Sequence, residues 1–272
     1  MAESRLAAIN DLMTSLYAVT GTDLRGYKEE TLLRRTDKRI EELHLGSLDA
    51  YRDYVRHNPD ELTLLRQQLF VTVSTFFRDA DAFSALTAQL RAALLAHTGP
   101  SFTVWVAGCG TGEEVYSLAM LLHDLLQQEG LQRELRLIGT DLNALALNQA
   151  EAAHYAENRI NAVPAPLRER YLHKQAGQYT VATEIRTLCS FETADVFGPS
   201  VVKELDVVSC RNLLIYLKTP RQERLLTQLH QQLRPDGLLF LGQSESLAPA
   251  GRTLFASVDA DHRIFRKRHA MV

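Results

Sequence analysis

Apolar residues at Leu6, Ile9, Leu12, Met13, Leu16 and Tyr17 recur at spacings of three and four, the period that gathers side chains on one face of an α-helix. Similar patterning predicts helices over Lys28–Leu45, Leu48–His57, Asp60–Phe70 and Ala80–His97. Residues 1–95 contain no convincing strand, and only Gly21 and Gly26 precede Gly46, so this part reads as a helical domain. Thr98-Gly-Pro-Ser101 breaks the pattern and sets the expected boundary between domains at 1–98 and 99–272.

From Phe102 the period changes. Short β-rich runs alternate with helical ones: Phe102–Ala107, helix Glu113–Gln128, Glu134–Thr140 and helix Asn143–Ala152. Leu205–Ser209, a helix near Pro220–Leu233, Gly237–Leu241 and a final strand near Arg263–Arg266 follow. Such alternation predicts a parallel sheet with crossover helices, an α/β domain. Within it, residues 169–193 carry three β-rich runs beginning at Tyr171, Gln178 and Ile185, which read as a small inserted antiparallel β-subdomain.

A chain of 272 residues is long enough for two modest domains with sizeable cores. The net charge of −3 offers no basic balance for nucleic acid. Cys109, Cys189 and Cys210 match no zinc-ligand spacing, so no metal site is expected, and an odd count argues against a disulfide framework. No leader-like or membrane-length apolar run is visible, which gives the expectation of a cytoplasmic protein without membrane insertion. Lys28, Arg34, Arg35, Lys38 and Arg39 crowd the second helix, either as a solvated face balanced by nearby acids or as a surface for an acidic protein.

Residues 104–114, Val-Trp-Val-Ala-Gly-Cys-Gly-Thr-Gly-Glu-Glu, run from a strand through Gly108, Gly110 and Gly112 into a helix. Dinucleotide sites of the Gly-x-Gly-x-x-Gly kind place pyrophosphate on an uncluttered helix N-terminus, which Glu113 and Glu114 would disfavour. An acidic helix start suits a ligand with cationic centres, and S-adenosylmethionine has a sulfonium and an ammonium group. A glycine turn that binds nothing is the plain alternative.

Open parallel sheets take ligands beyond the carboxyl ends of their strands, where several polar residues fall. Asp141 can accept both hydroxyls of a ribose or cap the next helix. Asp195 can face an adenine or form a turn. Arg211, Asn212 and Tyr216 follow the fourth strand, either holding loop carbonyls or serving a cofactor and its reacting sulfur. Trp105 reads as core packing. In the stretch Val71–Asp79, Phe76 and Phe77 read as rings that weld the two domains together, whereas Arg78 can hold a carboxylate bidentately.

Together, Thr72–Arg78, Gly112-Glu-Glu-Val-Tyr-Ser117, Thr140-Asp-Leu-Asn143, Ser209–Tyr216, Arg234–Phe240 and Gly242-Gln-Ser-Glu-Ser246 resemble the chemotaxis receptor methyltransferases, the CheR family, over nearly the whole chain. The resemblance implies an N-terminal all-helical domain and a Rossmann-like methyltransferase domain with a small inserted antiparallel β-subdomain, S-adenosylmethionine as donor, S-adenosylhomocysteine as product, and glutamates in the cytoplasmic domain of a methyl-accepting chemoreceptor as acceptors. It carries cofactor contacts onto Thr72, Ser74, Arg78, Glu114, Asp141, Asp195, Val196, Arg211 and Asn212, with Gly108 in the glycine turn. It matches Arg78 and Tyr216 to the pair beside the methyl group. Thr72 stands where members often have Asn, and Ser74 where they have Thr. The Gln175-Ala-Gly-Gln178 turn is short beside those of members that bind a receptor tether, which counts against tether recognition here. Rival readings are a small-molecule or amine methyltransferase, a non-catalytic module that senses the same cofactor or docks to a signalling array, and a methyltransferase serving a non-swimming pathway.

Overall fold

The computed structural model describes residues 2–70, 74–198 and 203–269. Two compact units divide the chain: residues 1–71 with 216–222, and residues 72–215 with 223–272.

The first unit is helical, with α1 (Ala2–Thr20), α2 (Glu29–Glu42), α3 (Leu48–His57) and α4 (Glu61–Leu69). Ile9, Leu12, Met13 and Leu16 of α1 are buried with Leu32, Ile40, Tyr51 and Leu65, while Leu6 and Tyr17 of the same periodic set remain exposed. Ser47 caps α3 by accepting from the Ala50 N–H. Two of the basic residues on α2 are spent inside this unit. Arg39 pairs with buried Glu61 through Nε (2.6 Å) and Nη2 (2.8 Å), and Arg35 Nη1 donates to the carbonyls of Gln68 (2.9 Å) and Phe70 (3.3 Å). Segment 216–222 joins this unit through a bridge between Leu217 and Tyr27 and through ion pairs Lys218–Glu29 (2.5 Å) and Arg221–Asp23 (2.8 Å).

The second unit begins with α5 (Ala80–Ala96). Hydrophobic patterning alone groups this helix with its predecessors, but Phe83, Leu86, Leu90 and Leu94 lie in the core of the sheet unit. The chain continues through β1 (Ser101–Ala107), α6 (Glu113–Gln128), β2 (Glu134–Asp141), α7 (Ala144–Ala152), β3 (His154–Ala156), α8 (Ala165–Tyr171), β4 (Leu172–Gln175), β5 (Gln178–Val181) and α9 (Thr183–Arg186). It ends with β6 (Cys189–Thr193), β7 (Leu205–Cys210), α10 (Thr219–Gln232), β8 (Leu233–Leu241), α11 (Pro249–Leu254), β9 (Phe255–Asp259) and β10 (Ile264–Lys267). The first residues of α10 count with the helical unit.

Seven strands form the main sheet in the order β6-β2-β1-β7-β8-β10-β9. The first five run parallel, while β10 is antiparallel to both β8 and β9. This is the parallel α/β arrangement expected from the alternating runs, and the Rossmann-like domain that the resemblance implies. Strands β1 and β7 are buried along nearly their whole length, as strands covered on both faces must be.

The small antiparallel sheet is present with the order β3-β5-β4, but its membership differs from the sequence reading. Its third strand is His154–Ala156. The run beginning at Ile185 instead closes α9 and supplies β6, which pairs in parallel with β2, Leu137 opposite Cys189 and Asp141 opposite Thr193. A β-rich run specifies a strand without specifying its partner, because strand preference reflects fit to a pleated surface. Phe76 and Phe77 pack within the sheet unit: Phe76 meets Tyr155 edge-on at 4.8 Å between ring centroids, and Phe77 meets Phe83 at 5.1 Å. No helix among the described residues is long and apolar enough to cross a membrane.

Candidate cofactor site at the carboxyl ends of the strands

The turn between β1 and α6 is built from three glycines with positive φ, 71° at Gly108, 55° at Gly110 and 90° at Gly112, a region that costs side-chain-bearing residues energy. Their surroundings differ. A Cβ at Gly112 would meet the Ala150 Cβ at 2.7 Å, so protein packing requires glycine there. At Gly108 the nearest atom is the Leu213 Cδ2 at 3.9 Å, which leaves room over the backbone. The Gly108 and Cys109 N–H groups donate to the Thr140 carbonyl at 2.8 and 3.0 Å, fastening the turn to the end of β2. The Trp105 indole N–H donates to Thr140 Oγ1 at 3.0 Å below it. Burial pushes the Cys109 thiol well above its ordinary range, with Asp141 and Glu114 adding to the effect, so it remains an unreactive thiol.

Asp141 closes β2. Its Oδ2 accepts from the Gly110 N–H and its Oδ1 from the Asn143 N–H, both at 2.9 Å. The cap of α7 is Asn143, whose Oδ1 accepts from Leu145 and Ala146 at 3.1 and 3.3 Å; Asp141 is therefore not that cap. Burial raises the Asp141 carboxyl above its ordinary value, opposed by the N–H donors of Asn143, Gly110 and Leu142. Two carboxylate oxygens offer about four acceptor sites, so three backbone donors leave accepting capacity on Asp141.

The two acids that open α6 do not present free charge. Glu113 is fully buried, accepts from Thr111 Oγ1 at 2.7 Å and pairs with Arg159. Glu114 accepts from Ser209 Oγ at 2.5 Å and from Arg211 Nη1 at 3.0 Å. The cofactor expectation therefore cannot rest on uncompensated negative charge at the helix start. Arg211 is equally committed. Its Nη2 donates to Asp79 at 2.5 Å and to the Arg78 carbonyl at 3.0 Å, while the guanidinium lies 4.5 Å from the Phe240 ring centroid.

Residues 74–79 are held at three points. Arg159 Nη2 donates to the Ser74 carbonyl at 3.0 Å, the Phe77 N–H donates to Ser117 Oγ at 3.0 Å, and Arg211 holds Arg78 and Asp79. Only the carbonyl of Arg78 is engaged; among the described residues its guanidinium has no hydrogen bond or ion pair. Asp195 makes a turn, its Oδ1 accepting from the Phe197 N–H at 2.9 Å and its carbonyl from Gly198 at 2.8 Å; Val196 lies between, after β6. Thr72 lies outside the described residues. Tyr216 belongs to the helical unit, where its carbonyl accepts from the Lys28 N–H at 2.8 Å.

Sequence reasoning assigned no role to Glu245, although it lies in one of the quoted segments. Glu245 is buried, with Oε2 accepting from Asn212 N–H (2.9 Å) and Gly242 N–H (2.7 Å) and Oε1 from Leu214 N–H (2.7 Å). It shapes the loop that carries Asn212 at φ 59°. An acid four residues beyond an apolar strand is the available sequence signal, and it does not identify the donors.

The donor set fits an adenosyl cofactor: an open glycine backbone at Gly108 and a carboxylate at Asp141 stand at the ends of adjacent strands, where parallel α/β sheets receive ligands. Comparison with known proteins agrees. Residues 72–264 match the family model "CheR methyltransferase, SAM binding domain", and residues 7–70 match "CheR methyltransferase, all-alpha domain". A 104.1 kDa protein from the hypE 3'region of Rhodobacter capsulatus is 35% identical over 88% of this chain. The chain spans only 25% of that longer relative. The chemotaxis protein methyltransferase 2 of Pseudomonas aeruginosa is 32% identical over 86% of this chain and 85% of its own length. A protein named "Probable biofilm formation methyltransferase WspC" from Pseudomonas putida is 32% identical over 73% of this chain and 47% of its own.

Proposed function

The chain belongs to the CheR methyltransferase family, and from that premise we propose that it methylates glutamate side-chain carboxylates on the cytoplasmic domain of a methyl-accepting chemoreceptor. The observation that carries the site is the Asp141 carboxylate drawn to the Gly110 N–H beside the open Gly108 backbone. In this reading the protein acts in the cytoplasm and the ester products serve signal adaptation.

Asp141, Gly108, Ser74, Asp195, Val196 and Asn212 would hold the cofactor, with Thr72 added from the resemblance. Glu114 and Arg211 support the same site by fixing α6 to β7 and to residues 74–79, the linker that precedes α5. Bound S-adenosylmethionine supplies an activated methyl group that a carboxylate oxygen can displace. The acceptor, with an ordinary pKa of about 4.3, is already ionised at neutral pH, so no protein base is required. The protein's task is then to position the reactants, worth roughly 7–11 kcal/mol in favourable cases. Arg78, whose guanidinium is uncommitted among the described residues, is the group available to orient a carboxylate. From the resemblance, the Tyr216 hydroxyl donates a hydrogen bond during turnover. Tyr216→Phe then lowers turnover more than cofactor affinity, and equal activity in both proteins would remove the hydroxyl from the mechanism.

The direct test is transfer of labelled methyl from S-adenosylmethionine to purified receptor cytoplasmic domains, followed by mild base and capture of volatile methanol. Base-labile label identifies a carboxyl methyl ester; base-stable label points to nitrogen and overturns the proposal. The WspC relative supports a second reading about the circuit alone, in which the receptor governs surface growth instead of swimming. Running the assay with receptors of both kinds separates the two.

A further inference from the structure

Arg159 stands on the turn Glu157–Arg159 that follows β3, the edge strand of the small sheet. Its Nη2 reaches the Ser74 carbonyl (3.0 Å), Thr111 Oγ1 (3.1 Å) and the buried Glu113 carboxylate. Four residues earlier, Tyr155 donates its hydroxyl to the Thr111 carbonyl at 2.7 Å. Segment 155–159 therefore grips the glycine turn from outside the main sheet and also holds the linker at Ser74. The packing at Gly112 tightens this grip, since its missing Cβ is matched by Ala150 and the Tyr155 hydroxyl.

We infer that Arg159 is a positioning residue for the cofactor site, setting the spacing between the glycine turn and the linker without touching the ligand. Glu113 alone does not account for it. Neutralising one buried carboxylate requires only a positive charge, whereas the bonds to the Ser74 carbonyl and Thr111 Oγ1 tie two separate segments to the same guanidinium. All three acceptors meet the one nitrogen Nη2, and a lysine ammonium keeps the charge but ends one atom short of that position. The inference rests on the reading of the glycine turn as the cofactor site, and Asp141→Ala tests that reading separately.

The experiment is calorimetric titration of the full chain with S-adenosylhomocysteine, comparing wild type, Asp141→Ala, Arg159→Lys and the neutral pair Glu113→Gln with Arg159→Gln. The neutral pair removes the buried charge together with its partner, so no uncompensated carboxylate is left to unfold the protein. Binding stoichiometry separates lost affinity from a lost folded fraction. If Arg159 positions the site, both Arg159→Lys and the neutral pair weaken binding about tenfold or more at normal stoichiometry. Wild-type affinity in the neutral pair reduces Arg159 to a counter-ion and overturns the inference. If the pair does not fold, Arg159→Lys decides, and wild-type affinity there overturns it equally. Unchanged affinity in Asp141→Ala sinks the site reading instead.

Discussion

Asp206 at one end of the parallel sheet and Asp141 with Glu245 at the other serve different purposes. Near the strand beginnings, Asp206 accepts from the Thr103 N–H at 2.7 Å, meets His97 Nδ1 at 2.9 Å and lies 3.6 Å from Arg234 Nη1. Its partners are one backbone N–H of β1 and the side chains of His97 and Arg234, from three segments, so it acts as a fastener between elements. At the carboxyl ends, Asp141 and Glu245 take backbone N–H donors from the loops they face, and among the described residues the Arg78 guanidinium has no partner. A buried acid satisfied by loop backbone determines a loop's shape; one satisfied by side chains of neighbouring elements determines their packing. The contrast matches the tendency of α/β folds to place chemistry beyond one edge of the sheet.

The sharpest way to break this contrast is Asp141→Ala. It should weaken S-adenosylhomocysteine binding by about a hundredfold while the apoprotein stays folded, read by calorimetry and circular dichroism. Comparable affinity in the variant would dissolve the distinction between the two ends. Glu245→Ala comes next. It leaves the N–H groups of Asn212, Leu214 and Gly242 without their buried acceptor, and should cost about 3 kcal/mol in urea unfolding together with cofactor affinity. At the other end, Asp206→Ala should cost about 2 kcal/mol of stability, yet leave the affinity of the folded fraction within about twofold. A large affinity loss there would show that both ends shape the site.

The smallest effect concerns pH. Burial raises the Glu245 carboxyl above its ordinary value of 4.5, with the opposing N–H donors reducing the rise. A raised acid contributes stability that is fully present below the unfolded pKa and is lost as pH rises through the folded pKa. Wild type should therefore gain on Glu245→Gln, in urea midpoints, as pH falls from neutral toward 4.5. A difference that moves the other way, or does not move, contradicts the burial-dominated account.

Local signals were well read from the sequence. The helices of the first unit, the glycine turn and the alternating strands all depend on spacings within a few residues, and their positions agree with the structure to within a few residues. What escaped depends on pairing across the chain. Arg159 and Arg211 lie 46 and 97 residues from the acids they neutralise, and no local pattern announces such partners. Helix α5 has an ordinary amphipathic face, and only the fold reveals that this face meets the sheet core. Strand β3 is three residues long, too short to carry a period. At the site, the glycines and strand-end acids were legible because their chemistry is in their identity. The supporting role of Glu245 was not, because a buried acceptor for loop N–H groups is defined by the loop's final course.

Trp105, held by Thr140 in the sheet unit, is the chain's single tryptophan. Intrinsic emission excited at the red edge of protein absorbance therefore comes from one indole, shielded and hydrogen-bonded at rest. Loss of that shielding reports melting of the sheet unit alone, while circular dichroism follows both units. A denaturation curve in which the two signals part company would reveal the helical unit opening as a separate thermodynamic event, with no label added to the protein.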